Sequence, residues 1–250
     1  ISFTPVQERM LHFISQKLTI GMRARDLLVL QALLDGHHDV ITYVSHELSN
    51  SYNVELSEHG RINLINVMTN QFGVKAAQKT FEDSVFIELS NGCYGISQAF
   101  KDALEDSNFK AHVKELVAYG LKQFDDKYKS NIYPHTPFAL YEKYTYEQVC
   151  QLLEWPQNEV PLNIGGYKFH KETKTYPVFI NYHKADDIQD TIKYEDRFEN
   201  PGLLKAISKN KRSFSSDDVQ TAFNSDALGV AMHLFMRKNK DDEESKEFYY

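Results

Sequence analysis

Val85-Phe86-Ile87-Glu88-Leu89-Ser90-Asn91-Gly92-Cys93-Tyr94-Gly95-Ile96 is the stretch on which the reading of the first half turns. Val85, Ile87 and Leu89 alternate with Phe86 and Glu88, the period of a half-buried strand. Asn91-Gly92 then joins this run to a second short one, Cys93 to Ile96. Asn-Gly tolerates the positive φ angles of a tight hairpin turn, so the stretch predicts a β-hairpin. Upstream the period is helical. Val6, Met10, Phe13 and Leu18 recur near helical spacing, with Pro5 suited to a first turn. Leu27, Leu28, Leu30, Leu33 and Leu34 follow, with Gly36 as a C-terminal stop. Val40, Ile41, Val44 and Leu48 share a third helical face. Residues 58–72 predict a further helix with Ile62, Ile65, Met68 and Phe72 inward and Gly73 as its end. Helices followed by a hairpin is the order of a winged helix-turn-helix. A long helix, Phe109 to Tyr128, comes next, striped by Val113, Leu116, Val117, Leu121 and Phe124.

The second half reads differently. Tyr133-Pro134-His135-Thr136-Pro137 predicts a linker, because two prolines so close disfavour both helix and central strand. Thr145-Tyr146-Glu147-Gln148 fits a capping box opening a short helix that ends near Trp155-Pro156. Tyr176–Tyr182, Val230–Met236 and Phe248–Tyr250 then predict strands, and Lys238–Lys246 an exposed charged turn. The expected class is α+β: a helical, winged-helix-like region over 1–132, a linker over 133–140, and a β-rich domain over 141–250. A distorted barrel is one candidate form of that last domain.

Composition narrows the function. Of 250 residues, 42% are hydrophobic and 25% charged, enough apolar material for a core and therefore not a disordered chain. Aromatics at 13% suggest a substantial β component. No apolar run approaches the ~20 residues of a membrane span. Cys93 and Cys150 match no metal or redox spacing, and a reducing cytoplasm is the expected compartment. Residues 1–140 carry 13 basic and 16 acidic groups and residues 141–250 carry 15 and 19, so neither half has the bulk positive charge of a nonspecific nucleic-acid binder. Nucleic-acid contact would have to come from a local patch. The ends, Ile1-Ser2-Phe3 and Phe248-Tyr249-Tyr250, suggest a piece of a longer polypeptide.

Catalytic motifs are mostly missing from the sequence: no phosphate-cradling P-loop, no H-E-x-x-H or paired C-x-x-C, no nucleophile elbow. His37-His38-Asp39 could ligate a metal, but neighbours on a loop point apart and no further ligand is placed by sequence. Glu172-Thr173-Lys174 has the E-x-K end of a nuclease pattern without its acidic partner strand. Asp186, Asp187, Asp190, Glu195 and Asp196 could bind a divalent ion, although acids opening a helix explain the first three as well. Two stretches suit DNA better. On the 58–72 helix, His59, Asn63, Asn66 and Asn70 face away from the expected core stripe, with Arg61 nearby. In a winged helix this element enters the major groove, where Asn can pair with adenine and Arg with guanine. The second is Lys205-Ala206-Ile207-Ser208-Lys209-Asn210-Lys211-Arg212-Ser213-Phe214-Ser215-Ser216, with four cations and no acid over its first eight residues. Its cations can neutralise phosphates and its hydroxyls can fix register.

Tyr144-Thr145, Gly165-Gly166-Tyr167, the strand leading into Lys184, Tyr194-Glu195-Asp196-Arg197-Phe198, Ser208-Lys209 and Leu234-Phe235-Met236-Arg237 together resemble a bacterial family. It is the C-terminal domain of unknown function on superfamily II DNA/RNA helicases, proteins that often also carry an N-terminal phospholipase-D-type nuclease domain. One departure is that relatives often have Trp shortly before the Ser pair, where this chain has Lys205-Ala206-Ile207. The resemblance implies a module of a restriction- or defence-type helicase, with ATP and Mg²⁺ serving the parent motor and no cofactor in this piece. Lys184, Tyr194, Asp196 and Ser208 are family-motif positions without an assigned role.

The reading that results is a non-catalytic DNA-binding, targeting fragment of an ATP-dependent helicase, with DNA and the motor of the same parent chain as partners and no membrane. Lys205, Lys209, Lys211, Arg212 and Ser213 would meet phosphates, and Arg61, Asn63 and Asn66 would read bases. The alternatives are a protein-interaction or autoinhibitory domain docking on the motor, and a metal-dependent nuclease built on Asp186, Glu195 and Asp196.

Overall fold

Local signals set most of the helix ends. In the computed structural model, which describes residues 2–159, 166–183, 197–205, 211–239 and 246–250, Thr4 caps α1 (Pro5–Phe13) in a reciprocal box with Gln7. Helix α2 (Arg25–Leu34) closes as its pattern predicts. Gly36 adopts φ +81°, and the amides of Gly36 and His37 return to the Leu33 and Ala32 carbonyls at 3.1 and 3.0 Å. Helices α3 (Val40–Tyr52), α4 (Glu58–Met68) and the short α5 (Lys75–Thr80) precede a hairpin of β1 (Ile87–Ser90) and β2 (Cys93–Ile96). Asn91 and Gly92, with φ of 52° and 78°, form the expected turn between the paired Ser90 and Cys93. The hairpin is anchored by Phe86, whose amide donates to the Met68 carbonyl at 2.9 Å and whose buried ring meets Phe13 and Phe100. Helices α6 (Gln98–Ala103) and α7 (Ser107–Gln123) complete the helical region, with Asp106 capping α7.

Helix α4 keeps its predicted inward face at the end, where Met68 and Phe72 are buried, and departs from it at the start. Leu64, Val67 and Met68 are buried together with Gly60 and Asn63, while Ile62, expected inside, is 38% exposed. Apolar residues lie on both sides of this helix, so the 3.6-residue period fits two stripes, and tertiary packing selects the second. Its stop differs too. Asn70, at φ +56°, turns the chain four residues from Val74 and donates its side-chain amide to the Gln78 and Phe81 carbonyls, each at 2.9 Å. The stop assigned to Gly73 is thus made earlier, by an Asn that tolerates the left-handed region.

The chain divides into two compact units, Ile1–Ala139 with Glu154–Glu159 and Leu140–Leu153 with Val160–Tyr250. The Pro-rich segment is a tight loop of the first unit. Tyr133 donates to the Phe138 carbonyl at 2.8 Å, Ile132 bridges Ala139, and Phe138 and Ala139 are fully buried.

The second unit begins with β3 (Lys143–Thr145) and α8 (Tyr146–Leu152), joined through the Thr145/Gln148 capping box. Next come β4 (Thr175–His183), a small hairpin of β5 (Arg197–Asn200) and β6 (Leu203–Lys205), α9 (Asp217–Phe223), α10 (Ser225–Leu228), β7 (Ala231–Asn239) and β8 (Glu247–Tyr249). The main sheet has the order β3-β8-β7-β4; β4 and β7 are parallel and the other pairs antiparallel. Among the described residues this sheet is open, with no closed barrel. Its core is aromatic: Phe179 stacks on Phe235 at 5.1 Å and meets Phe248 at 5.2 Å, and Tyr146 closes on both Phe179 and Phe248. Arg237 lies 4.4 Å over the Phe248 ring and donates to Asn181 at 2.6 Å. The described residues are 48% helix and 17% strand, with the helices N-terminal and the sheets C-terminal, the expected α+β class. The rings fill helical cores as well, in the series Phe13, Phe86, Phe100 and Phe109.

Candidate nucleic-acid interface

The parallel pairing of β4 with β7 forces a long crossover, and the cationic stretch lies on it. Lys205 ends β6 and is exposed. Lys211, at φ +62°, and Arg212 lead into a turn closed by Ser213 and Ser216. The Ser213 amide donates to Ser216 Oγ at 3.0 Å, and the Ser216 amide to the Ser213 carbonyl at 3.0 Å. The Ser213 and Ser215 hydroxyls bond one another at 2.8 Å. Ser208 and Lys209 lie outside the described residues, as do Lys184, Tyr194 and Asp196 and the acids Asp186, Asp187, Asp190 and Glu195.

Behind the turn, α9 supplies what the linear stretch lacks. Arg212 Nε meets Asp218 Oδ2 at 3.0 Å with Arg212 still 44% exposed, so one cation is partly balanced and held in orientation while facing water. The Asp218 carbonyl accepts from the Tyr176 hydroxyl at 2.9 Å, which fastens this end of α9 to β4. Burial pushes the Tyr176 phenol well above its ordinary value, with Tyr167 and Asp218 adding and Arg212 opposing, so it stays a donor. Arg212, Ser215, Ser216, Asp217 and Asp218 line an open cleft of about 430 Å³. Beside it stand two exposed rings, Phe214 at 64% and Phe223 at 71%, with centroids 5.2 Å apart at 73°. Phe223 is not marked out by the sequence; its signal is one large aromatic residue ending a short run of acids, amide, hydroxyl and small apolar residues, Asp217-Asp218-Val219-Gln220-Thr221-Ala222.

The candidates on α4 sit in the first unit and are engaged differently. Asn63 is fully buried and donates to the Trp155 carbonyl at 2.6 Å; Asn66 donates to the Pro156 carbonyl at 2.7 Å. The same strap, Glu154–Glu159, places Glu154 within 2.9 Å of Arg25 Nη1 and 2.8 Å of Ser57 Oγ. Burial, then the neighbouring Arg23, lowers Arg25 from its usual value, and Glu154 works against that. Asn63 therefore has no edge to offer a base. Arg61 is half-buried, 5.9 Å from the Tyr94 ring on β2. Elsewhere, Asp39 accepts from the Thr42 amide as the cap of α3 and His37 stacks on Tyr43 at 3.9 Å. No cluster of three metal-ligating side chains occurs among the described residues. In Glu172-Thr173-Lys174, Thr173 bonds His170 Nδ1 and Thr175 within a turn where Lys174 takes φ +50°.

Taken together, these features define a two-unit α+β protein: a helical unit with a hairpin, and a mixed-sheet unit that displays a hydroxyl-rich basic turn beside two bare aromatic rings. Residues 1–129, just over half of the chain, match the family described as a domain of unknown function (DUF8090), and the chain belongs to that family. Residues 138–250 match a second domain of unknown function (DUF3427). No curated protein and no solved structure matches the chain. No helix among the described residues is long and apolar enough to cross a membrane.

Proposed function

We propose that this chain is a DNA-binding, targeting part of a larger ATP-dependent superfamily II helicase of restriction or defence type. The observation that carries the reading is the turn before α9, where Lys211, Arg212 and the hydroxyls of Ser213 and Ser215 gather on one exposed surface of an otherwise acidic chain. Cations there neutralise phosphates, and hydroxyls and amides hold register without reading sequence. Lys205 adds a further exposed cation at the end of β6. The link to a motor rests on the resemblance of the second half to the helicase C-terminal domain, and the parent motor, not this piece, would use ATP and Mg²⁺. The role is positional: the turn keeps the chain on DNA while chemistry happens elsewhere in the parent protein.

The test is fluorescence anisotropy of labelled DNA with the 250-residue chain across a salt series. Binding should weaken as salt rises, and the Lys205→Ala/Lys211→Ala/Arg212→Ala variant should lose up to about three units of the log–log salt slope, near 0.9 per phosphate contact. Absence of binding at low salt would reject the reading.

A second reading, docking on the motor, is favoured for the first unit by one specific observation. The polar face of α4 is tied to the Trp155 and Pro156 carbonyls, while Ile62 and the hairpin residue Leu89, 62% exposed, stand in solvent.

A further inference from the structure

Two exposed phenylalanines in contact with one another are an unusual way to finish a basic surface. Phe214 follows directly on Arg212-Ser213, and its carbonyl accepts from the Gln220 side chain at 2.5 Å. Gln220 belongs to α9, the helix that ends with Phe223, so both rings ride on one frame. The Asn224 side chain returns to the Gln220 carbonyl at 2.9 Å and secures the C-terminal end of that frame. At 5.2 Å and 73° the pair presents the face of one ring beside the edge of the other, with each ring more than half exposed.

We infer that this surface takes single-stranded DNA, with Phe214 and Phe223 stacking on unpaired bases while Lys211 and Arg212 meet the phosphates. The inference rests on the DNA reading above and names the form of DNA. In a duplex the base faces are covered by their neighbours and the phosphates lie outermost, so rings standing among cations find nothing to stack on. An unpaired strand offers both: a charged backbone for the basic turn and bare π-faces for the aromatic pair. An apolar protein segment would cover the rings but offer no acceptor to Lys211 or to the part of the Arg212 guanidinium that its Asp218 pairing leaves exposed, whereas a phosphate backbone supplies one. Asp218, bonded to Arg212 Nε, acts as a positioning residue that aims the guanidinium along the surface. Since aromatic stacking is indifferent to base identity, the surface holds a strand without selecting its sequence.

The experiment compares labelled oligothymidine with a mixed-sequence duplex of equal length, using the full 250-residue chain at fixed salt. The single strand should bind more tightly than the duplex. Phe223→Ala and Phe214→Ala should each weaken single-strand binding about 5- to 150-fold, the span for one stacked base, and leave duplex affinity within about twofold. Phe223→Trp should retain the affinity, which separates stacking from simple disturbance of α9, and thermal melting of the exposed-site variants should match the parent. Single-strand affinity unchanged in both alanine variants, or a duplex bound as tightly as the single strand, would overturn the inference while leaving the DNA reading intact if Lys211→Ala still weakens binding. No binding to either form would overturn both.

Discussion

Helix α4 and the turn before α9 carry much the same chemistry in sequence, polar amides or hydroxyls beside cations, and the fold uses them in opposite ways. On α4 the amides point at protein: Asn63 and Asn66 donate to two successive carbonyls of a strap nearly a hundred residues downstream in sequence. At the turn the hydroxyls bond each other, Lys211 is exposed, and Arg212 stays 44% exposed while its Nε pairs with Asp218. What separates them is a third party. A buried carbonyl must be satisfied, and Trp155, fully buried, brings its own to α4. Nothing comparable covers the turn among the described residues. A polar face therefore says little about its destination until the segments that seek partners are placed.

Trp155 is where the α4 surface is most vulnerable, because its fully buried ring holds the strap in place. Replacing it with Ala should cost the chain about 3–5 kcal/mol of stability, as for other large buried aromatics, with DNA affinity unchanged at temperatures where the variant stays folded; denaturant titration and anisotropy together read this. A change in DNA affinity at constant folded fraction would put α4 back at the interface.

The second unit offers a pH handle. His233, on β7, is buried, and burial pushes its imidazole down to about 4 from the usual 6.5. The unfolded chain then takes up a proton that the folded chain refuses, so this contribution is whole above pH 6.5 and fades as pH falls toward 4. The loss should reach roughly 3 kcal/mol at the acid end. His233→Leu should flatten that part of the pH–stability curve relative to the parent; equal slopes in the two proteins would show that His233 does not titrate this way.

Asn63→Ala should be milder, about 1–3 kcal/mol, because it removes a buried hydrogen bond from the Asn63 side chain to the Trp155 carbonyl. At the other pole, Arg212→Ala breaks an exposed ion pair and should alter stability by less than about 1 kcal/mol while weakening DNA binding. A melting shift for Arg212→Ala as large as that for Asn63→Ala would erase the distinction between the two surfaces.

Much of this architecture is visible in the sequence where a signal is local. Asn91-Gly92 dictates a turn that few other pairs can make, Gly36 and the Thr145/Gln148 box fix helix ends, alternation marks the strand that opens the hairpin, and short apolar and aromatic runs mark the strands at 176–182 and 230–236. Long-range choices are not written locally. The buried stripe of α4 depends on packing that selects between two apolar faces. The return of Glu154–Glu159 to the first unit has no cue beyond a Trp-Pro pair. The parallel register of Tyr176 with Met232 joins strands separated by most of a domain. Of the proposed DNA surface, the cations are readable as a run, but Asp218 and Phe223 reach it only because α9 folds back on the turn.

The most direct test of the central claim sets the two surfaces against each other in one titration. Arg61→Ala/Asn66→Ala and Lys211→Ala/Arg212→Ala would be compared with the parent chain for DNA affinity over a salt series. The α4 pair should bind as the parent does, and the turn pair should bind more weakly, with a salt slope shallower by about two units. Loss of binding in the α4 pair with the turn pair unaffected would contradict that claim.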